Sequence, residues 1–279
     1  MTASPAPASV CPDQGAAEAP VFGPRVRVGA VRFDPATEAG LVQHLESAMS
    51  AGRGGWMITS NLDHVRRAGR DPEFAAMLDE ADLVTADGMP VVWASRLSGF
   101  PAPERVAGSS ITPKLCAAAA RAGRAVYLLG GAPGVAEKAA EALRDQTPGL
   151  EIAGVECPPM GFDQNPAEVS AIGQRVGASI PGGPGLVLVA LGSPKQERLI
   201  RAIRAQCPGA WWVGVGITLS FLVGDVRRAP GWMQRLGLEW VHRLAQEPRR
   251  LFRRYLIDGL PFALWLFTAS VCRRLTRRP

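Results

Sequence analysis

Short apolar segments alternate with longer segments of helical periodicity along most of the chain. The apolar segments are four to eight residues long and rich in Val, Leu and Ile, which is typical of strands covered on both faces. Strands are predicted at Val26–Phe33, Trp56–Ser60, Leu83–Ala86, Ala125–Gly130, Leu150–Cys157, Leu186–Leu191 and Trp211–Val215. Because strands that alternate with helices form βαβ units, the pattern predicts an α/β fold with a mainly parallel sheet.

Local signals for helix boundaries agree with this alternation. Asp71-Pro72 is typical of an N-cap followed by proline at the first helical position. A second helix is predicted from Gly134 to Gln146, where Pro148-Gly149 ends it. The stretch Gly177–Gly185 is rich in turn residues and is expected to be a loop inside the same domain.

Changes in composition predict three parts. Residues 1–24 are rich in Pro and Ala and lack the basic and apolar regions of a signal peptide, so we expect a disordered leader. Residues 25–226 carry the alternating pattern and form the predicted core. Residues 227–279 form a basic helical appendage, which we expect to consist of two segments separated near Pro248 and Pro261.

The appendage contains an uncharged apolar run, Leu260–Cys272, between two pairs of arginines. As a helix, its 13 residues would extend about 20 Å, which is short of the roughly 30 Å hydrocarbon core of a bilayer. The run therefore predicts an interfacial helix that lies in the headgroup layer. Burial against the body or against a second subunit is the alternative.

Charge is distributed unevenly along the chain. Residues 227–279 contain 12 arginines and 3 acidic residues, a net charge of +9, whereas the remaining 19 basic and 22 acidic residues give −3. Such a tail predicts an anionic partner, with a solvated arginine-rich helix as the alternative. Membrane lipid or phosphate groups fit better than nucleic acid, because the uncharged run is too long for a surface that contacts phosphates only.

The remaining composition argues against several kinds of site. The five cysteines form no CxxC pair, which predicts reduced thiols in a cytosolic protein and no structural zinc site. The three histidines are scattered, and neither an HExxH pair nor a GxSxG motif is present. Gly214-Val215-Gly216 does not complete a dinucleotide fingerprint, because Leu219 stands at the third glycine position.

Polar residues follow several predicted strands, where ligands bind in a parallel α/β sheet. Thr59 and Asn61 follow one strand, and Asp87 follows the next. Asp87 could act as a general base, bind a sugar hydroxyl, or cap the following helix.

Two loops are candidate ligand sites. The first contains Gly130, Gly131 and Gly134 and precedes a helix, which suits a diphosphate, with a tight βα turn as the alternative. The second, Gly192–Glu197, includes Ser193-Pro194-Lys195-Gln196, which is typical of a capping box. Capping leaves Lys195 and Glu197 unexplained, so a ligand role for this turn stays open.

Five motifs occur together and in order, namely ADGMP, ERVAGS, LLGGAPG, LGSPKQE and RAPGWMQRLGLEW. In these motifs the chain resembles the WecG/TagA/CpsF family of bacterial glycosyltransferases, glycosyltransferase family 26. The resemblance extends from about Val26 to Tyr255, and the apolar tail after Tyr255 is expected to lie beyond the shared core.

The resemblance implies a Rossmann-like core and inverting transfer of an N-acetylmannosamine-type or related sugar from a UDP donor. The implied acceptor is a sugar on undecaprenyl diphosphate, at the cytoplasmic face of the cell membrane, in the biosynthesis of a cell-surface polysaccharide or teichoic acid. It implies no bound metal or other cofactor. The alternative is a peripheral membrane protein that binds nucleotides without transferase activity. Whether the chain forms a homo-oligomer is left open.

Individual residues take their expected roles from the same resemblance. Asp87 corresponds to the proposed base, and Thr59 and Asn61 correspond to a polar pair after the second strand. The residues expected to contact substrate, its phosphates above all, are Arg105, Gln196, Arg243, Arg250 and Arg253. One departure is Ser220, which stands where the family commonly has Asp, and this puts donor binding or sugar choice in doubt.

Overall fold

The structure, a computed structural model, describes residues 21–100 and 103–276. The leader expected over residues 1–24 therefore lies almost entirely outside the described residues. The strands are β1 Val26–Val28, β2 Val31–Phe33, β3 Gly55–Ser60, β4 Leu83–Ala86, β5 Val126–Gly130, β6 Ile152–Glu156, β7 Leu186–Ala190 and β8 Trp211–Gly214. The helices of the body are α1 Glu38–Ser50, α2 Leu62–Ala68, α3 Pro72–Glu80, α4 Met89–Leu97, α5 Gly108–Arg121, α6 Val135–Gln146, α7 Pro166–Ala178, α8 Lys195–Ile203 and α9 Thr218–Leu222.

Strands β3 to β8 form one parallel sheet in the order β4-β3-β8-β7-β5-β6, which confirms the predicted α/β class. Two hydrophobic clusters cover its faces. Trp56 and Ile58 belong to one cluster, and Met57 between them belongs to the other. All five residues of β7 are buried, so the central strands are apolar runs without polar alternation, as parallel strands covered on both faces should be.

The single strand predicted over Val26–Phe33 is wrong. This segment is an antiparallel hairpin of β1 and β2, with Val28 opposite Val31. Gly29 adopts a left-handed φ of +59°, which reverses the chain at a point where the apolar pattern alone indicated continuity. Asp34 follows the hairpin, and its Oδ2 accepts a hydrogen bond from the N–H of Val84 at 2.7 Å. This bond holds the hairpin segment against the edge strand β4.

The two predicted helix starts are confirmed. Asp71 caps α3 by accepting a hydrogen bond from the N–H of Phe74 at 3.0 Å. Helix α6 runs from Val135 to Gln146 with Gly134 at its N-cap. The loop predicted at Gly177–Gly185 begins two residues later in the structure, because α7 continues through Ala178.

The appendage is helical, but its segmentation differs from the prediction. It contains α10 Gly231–Arg235, α11 Glu239–Gln246, α12 Pro248–Phe252 and α13 Leu260–Thr276, with π-helical turns at Arg253–Gly259. The expected interruption at Pro261 is wrong, since the chain is helical without a break over Pro248–Thr276. Wider π-helical turns before the proline accommodate its missing N–H within the helix. The division at residue 226 stays a prediction.

Helix α13 has two different faces. Ala263, Leu266 and Ser270 are buried against the body, chiefly against α4. The exposed large apolar side chains on the other face are Leu260, Leu264, Trp265, Val271 and Leu275. Burial against the body therefore holds for one face of the helix, and the interfacial interpretation stays a prediction for the exposed face. Within the described residues, only the helix Pro248–Thr276 is long and apolar enough to cross a membrane, a criterion that core helices of soluble proteins also meet.

Candidate active site

Three neighbouring strands bring the predicted polar residues to one edge of the sheet. Because β4, β3 and β8 are adjacent and parallel, the segments that follow them meet at their carboxyl ends. Thr59 Oγ1 donates a hydrogen bond to the carbonyl of Gly214 at 3.3 Å, and the N–H of Asp87 donates to the carbonyl of Ser60 at 2.9 Å. Thr59 and Asp87 are therefore fixed to the same part of the sheet, at the strand ends where the apolar pattern placed them.

The start of α5 approaches the same edge from the ERVAGS motif. A side chain on Gly108 would lie 3.6 Å from Thr59 Oγ1 and 3.5 Å from Thr218 Oγ1. Helix α5 has no side-chain hydrogen bond at its N-cap, Ala107. Arg228, from the RAP motif, donates from Nη1 to the carbonyl of Ser109 at 3.5 Å. Sequence reasoning gave Arg228 no role.

Asp87 does not cap the following helix. The N-cap of α4 is Gly88, at a φ of +126°, and α4 has no side-chain cap hydrogen bond. Glycine is suited to this backbone conformation, which side chains rarely adopt. The capping alternative is therefore wrong, and the half-buried carboxylate of Asp87 is available for chemistry.

The surroundings of Asp87 favour the protonated carboxyl group more than bulk water does. Burial raises the pKa of Asp87 to about 6, and the negative charge of Glu239 adds to the increase. Arg105, His64 and Arg243 act in the opposite direction. A carboxyl group with this pKa is ionised at neutral pH and is a stronger base than an exposed aspartate.

Arg105 lies beside this carboxylate. It pairs with Ala86 of β4 in an isolated parallel bridge, one residue before Asp87. Its Nη1 donates a hydrogen bond to Glu239 Oε2 at 3.1 Å, and both side chains are 20% exposed. Glu239 is the first residue of α11, so this ion pair joins the body to the appendage.

Asn61 reaches the same edge, but its side chain is occupied locally. Its Oδ1 accepts hydrogen bonds from the N–H groups of Asp63 at 3.0 Å and His64 at 3.3 Å, which caps α2. His64 Nδ1 accepts from the N–H of Asn61 at 3.2 Å and completes a capping box. In this structure Asn61 therefore fixes the turn after β3.

Sequence reasoning missed a buried pair formed by His64 and Glu197. Both side chains are almost fully buried, with His64 Nε2 3.4 Å from Glu197 Oε1. Burial favours a higher pKa for Glu197, but the hydrogen bond and charge of His64 outweigh it, and the pKa lies below its ordinary value. The LGSPKQE motif was the only signal for Glu197, and nothing in the sequence connects it to His64.

The capping box predicted at Ser193–Gln196 is wrong. The N-cap of α8 is Pro194, without a side-chain cap hydrogen bond. Gln196 instead accepts the N–H of Gly216 at 3.2 Å and donates to Glu197 Oε1 at 3.0 Å. A side chain on Gly214 would lie 2.5 Å from Gln196 Nε2, so glycine at the end of β8 is what admits this buried amide.

The glycine loop after β5 is a tight turn. A side chain on Gly130 would lie 2.8 Å from the carbonyl oxygen of Ala190, which receives a hydrogen bond from the N–H of Gly131 at 2.8 Å. Gly134 faces open space at the start of α6. Since β5 is three strands from β3, the loop lies about 14 Å along the sheet from Thr59.

Lys195 lies on the outer surface of the α8 turn. Its Nζ donates a hydrogen bond to Asp163 Oδ1 at 3.0 Å and stands 5.7 Å from the centre of the Phe162 ring. These contacts account for its position without a ligand.

The three arginines expected from the appendage separate in space. Arg243 lies over the Phe221 ring at 5.9 Å and is one of the charges that act on Asp87. Arg250 is exposed and donates to Glu247 at 2.9 Å, and Arg253 is 85% exposed. Of the three, Arg243 shares the site with Asp87 and Arg105, whereas Arg250 and Arg253 lie on the outer surface.

Within residues 21–100 and 103–276, no cluster of three or more His, Cys, Asp or Glu side chains has the geometry to hold a metal ion.

Comparison with known proteins identifies the relatives of this chain. The model of the glycosyl transferase WecG/TagA/CpsF family matches residues 26–276. The match includes the apolar tail, so the expectation that the tail lies beyond the shared core is wrong. The chain is also similar to the N-acetylglucosaminyldiphosphoundecaprenol N-acetyl-beta-D-mannosaminyltransferase of Bacillus spizizenii, with 34% identity over 216 residues. These aligned residues cover 77% of this chain and 80% of that protein.

Proposed function

The chain belongs to the WecG/TagA/CpsF family and is a glycosyltransferase, and from that premise we propose that it moves an N-acetylmannosamine-type sugar from a UDP donor to a sugar on undecaprenyl diphosphate. The name of the Bacillus relative supports both the transferred sugar and the lipid-linked acceptor. The transfer inverts the anomeric carbon and serves the synthesis of a cell-surface polysaccharide or teichoic acid.

The observation that carries this proposal is the half-buried carboxylate of Asp87 beside two guanidinium groups, Arg105 and Arg243. In the proposed reaction the acceptor hydroxyl attacks the anomeric carbon and gives its proton to Asp87. The bond between the anomeric carbon and the phosphate oxygen breaks, and UDP leaves with the electron pair. Arg105 and Arg243 stabilise the negative charge that develops on the leaving diphosphate, because guanidinium groups stay charged and bind phosphate with two parallel hydrogen bonds.

The acceptor fixes where the enzyme works, since a polyprenyl chain does not leave the bilayer. We therefore propose that the protein binds peripherally to the inner face of the cell membrane. The support for this is the exposed apolar face of α13, together with the exposed arginines Arg249, Arg250 and Arg253 on the same continuous helix.

Release of UDP tests the activity directly. Purified protein is incubated with a panel of UDP-sugars and a short-chain polyprenyl-diphosphate-linked N-acetylglucosamine. We expect UDP release that depends on the acceptor and is fastest with the N-acetylmannosamine donor. No release with any donor would favour a nucleotide-binding protein without transferase activity, in which Ser220 marks the lost function.

Substitution of Asp87 tests its assignment as the base, and substitution of an exposed aspartate serves as the control. Asp87→Asn keeps the size of the side chain and removes its ability to take a proton, so kcat should fall by about 10²-fold or more while UDP binding persists. Asp145→Asn changes an exposed aspartate on α6 and should leave kcat unchanged. Turnover of Asp87→Asn at the wild-type rate would reject Asp87 as the base.

A further inference from the structure

The Arg105–Glu239 ion pair places an appendage carboxylate inside the candidate active site. The distance from Arg105 Nη1 to Glu239 Oε2 is 3.1 Å, and solvent reaches only 20% of either side chain. At this low exposure the ion pair is screened less by solvent than a pair on the open surface.

The segment before Glu239 is held against the segment that carries Asp87. Gly237 has a φ of +71°, and a side chain there would lie 2.7 Å from Met89 Cβ. Met89 begins α4 directly after Asp87-Gly88. The absence of a side chain at Gly237 lets the two backbones approach, so the position of Glu239 is set by packing on the neighbour of the base.

The four groups that act on Asp87 come from three segments of the chain. Arg105 belongs to the ERVAGS segment, His64 to α2, and Glu239 and Arg243 to α11. Glu239 and Arg243 are four residues apart and so occupy one face of that helix. Among the groups that act most on Asp87, Glu239 is the negative one, opposed by the other three.

We propose that Glu239 is a positioning residue for sugar transfer, whose carboxylate holds the Arg105 guanidinium beside Asp87 and balances the positive charge that Arg105 and Arg243 bring to the base. This inference rests on the proposed function. It gives the appendage a chemical role distinct from membrane binding, because docking of α11 completes the electrostatic environment of Asp87.

The direction of the effect follows from the charges. In Glu239→Gln the amide keeps a hydrogen-bonding oxygen for Arg105 but no longer opposes its charge. Positive charge around Asp87 is then uncompensated, the ionised carboxylate is favoured, and the pKa of Asp87 falls. The acid limb of the kcat profile should therefore move to lower pH, by about half a unit or more. The plateau at higher pH should fall, because a weaker base accepts the proton less readily.

The experiment measures the kcat profile from pH 5 to 8.5 for the wild type, Glu239→Gln and Asp258→Asn. Asp258 is also an acidic residue of the appendage and lies 3.7 Å from Arg66 of the body, so it controls for loss of an appendage-to-body ion pair. We expect the acid limb to move in Glu239→Gln alone. A merely structural contribution of Glu239 would lower the melting temperature without moving the acid limb.

A second readout does not depend on turnover. Titration of ¹³C-labelled aspartate carboxyl groups by NMR, assigned with Asp87→Asn, gives the midpoint of Asp87 in the wild type and in Glu239→Gln. A lower midpoint in Glu239→Gln supports the inference, and an unchanged midpoint overturns it. If the wild type transfers no sugar, the proposed function fails, while the titration still decides what Glu239 does.

If Glu239→Gln does not fold, Glu239→Asp takes its place in the titration. This variant keeps the negative charge, so the midpoint of Asp87 should stay close to that of the wild type. A midpoint lowered as far as expected for Glu239→Gln would overturn the inference.

Discussion

At the scale of the residue, the environment that raises the pKa of Asp87 also destabilises the fold. Its pKa is about 6 in the folded chain, above the roughly 3.9 of an unfolded aspartate. The folded state therefore binds more protons than the unfolded state between these values, and stability falls as the pH rises through them. Below about pH 4 this cost is absent, and above about pH 6 it is fully present.

Asp87→Asn should consequently stabilise the protein in a pH-dependent way. At pH 8 we expect a gain on the order of 1–3 kcal/mol, because the buried charge is removed. For a domain of this size each kcal/mol corresponds to about 2–4 °C in melting temperature. At pH 4.5 the gain should be much smaller. Thermal unfolding at both values checks this, with Asp145→Asn as the control, and a loss of stability at pH 8 would contradict it.

Arg105 should bind the donor diphosphate through its planar fork. Arg105→Lys keeps the charge but loses the paired hydrogen bonds, so UDP affinity should weaken by roughly 1–3 kcal/mol. Calorimetric titration with UDP measures this, and Arg121→Lys, at an exposed ion pair with Glu46 on the body, is the control. Equal affinities for Arg105→Lys and the wild type would mean that Arg105 does no more than hold Glu239.

Residue positions were predictable from the sequence only where the course of the backbone determines them. Asp87 and Thr59 follow strands that end side by side, and strand ends are visible in the apolar pattern. Asn61 and Gln196 were also located correctly, but their side chains bond to nearby backbone, which spacing does not reveal. The Arg105–Glu239 pair joins residues far apart in the chain, so no local pattern indicated it.

At the scale of the element, α13 has one face packed on the body and another face exposed, a division that the apolar run alone did not reveal. The turns of a helix place residues three or four apart on one face, so Ala263, Leu266 and Ser270 pack on the body together. The charge-free run predicted a helix there. Its continuity with α12 was not predictable from Pro261, because π-helical turns accommodate a proline that would otherwise end a helix.

Substitutions on the two faces of α13 should separate membrane binding from folding. Leu264→Ser with Trp265→Ser changes exposed side chains that are 58% accessible, and should weaken binding to vesicles by about 10²-fold or more with little change in melting temperature. Leu266→Ala changes a side chain in the core and should cost about 2–5 kcal/mol of stability. Vesicle binding of the folded Leu266→Ala protein should persist.

Sedimentation with liposomes and thermal unfolding provide these two measurements. Unchanged vesicle binding by the double serine variant would mean that the exposed face of α13 serves another purpose, such as contact with a second subunit.

At the scale of the whole molecule, the apolar pattern predicted the sheet, whereas the net charge did not reveal where individual arginines lie. The alternation of apolar and helical segments predicted the parallel sheet, because both faces of β7 and its neighbours are covered. The hairpin at the edge was missed, since a left-handed glycine interrupts an otherwise uniform apolar pattern. The arginines of residues 227–279 face different surroundings, since the Arg243 side chain is 19% exposed, whereas Arg250 and Arg253 are turned to solvent.

The outward arginines should orient the molecule on an anionic surface. Arg249→Glu with Arg253→Glu changes the net charge by four units on α12 and the π-helical turns, where both side chains are exposed. Each cation near an anionic bilayer contributes about 1 kcal/mol, so affinity for anionic vesicles should fall by more than about tenfold, and the salt dependence should weaken. Arg53→Glu with Arg144→Glu makes the same charge change at exposed positions on the body and should retain binding.

Because Arg253 is 85% exposed, the Arg249→Glu, Arg253→Glu variant should still turn over a short, water-soluble acceptor. Its turnover of an acceptor embedded in vesicles should fall. Loss of turnover on the soluble acceptor would instead return Arg253 to the phosphate-binding role that the family resemblance implied, and equal vesicle binding by the two variants would show that position on the molecule does not matter.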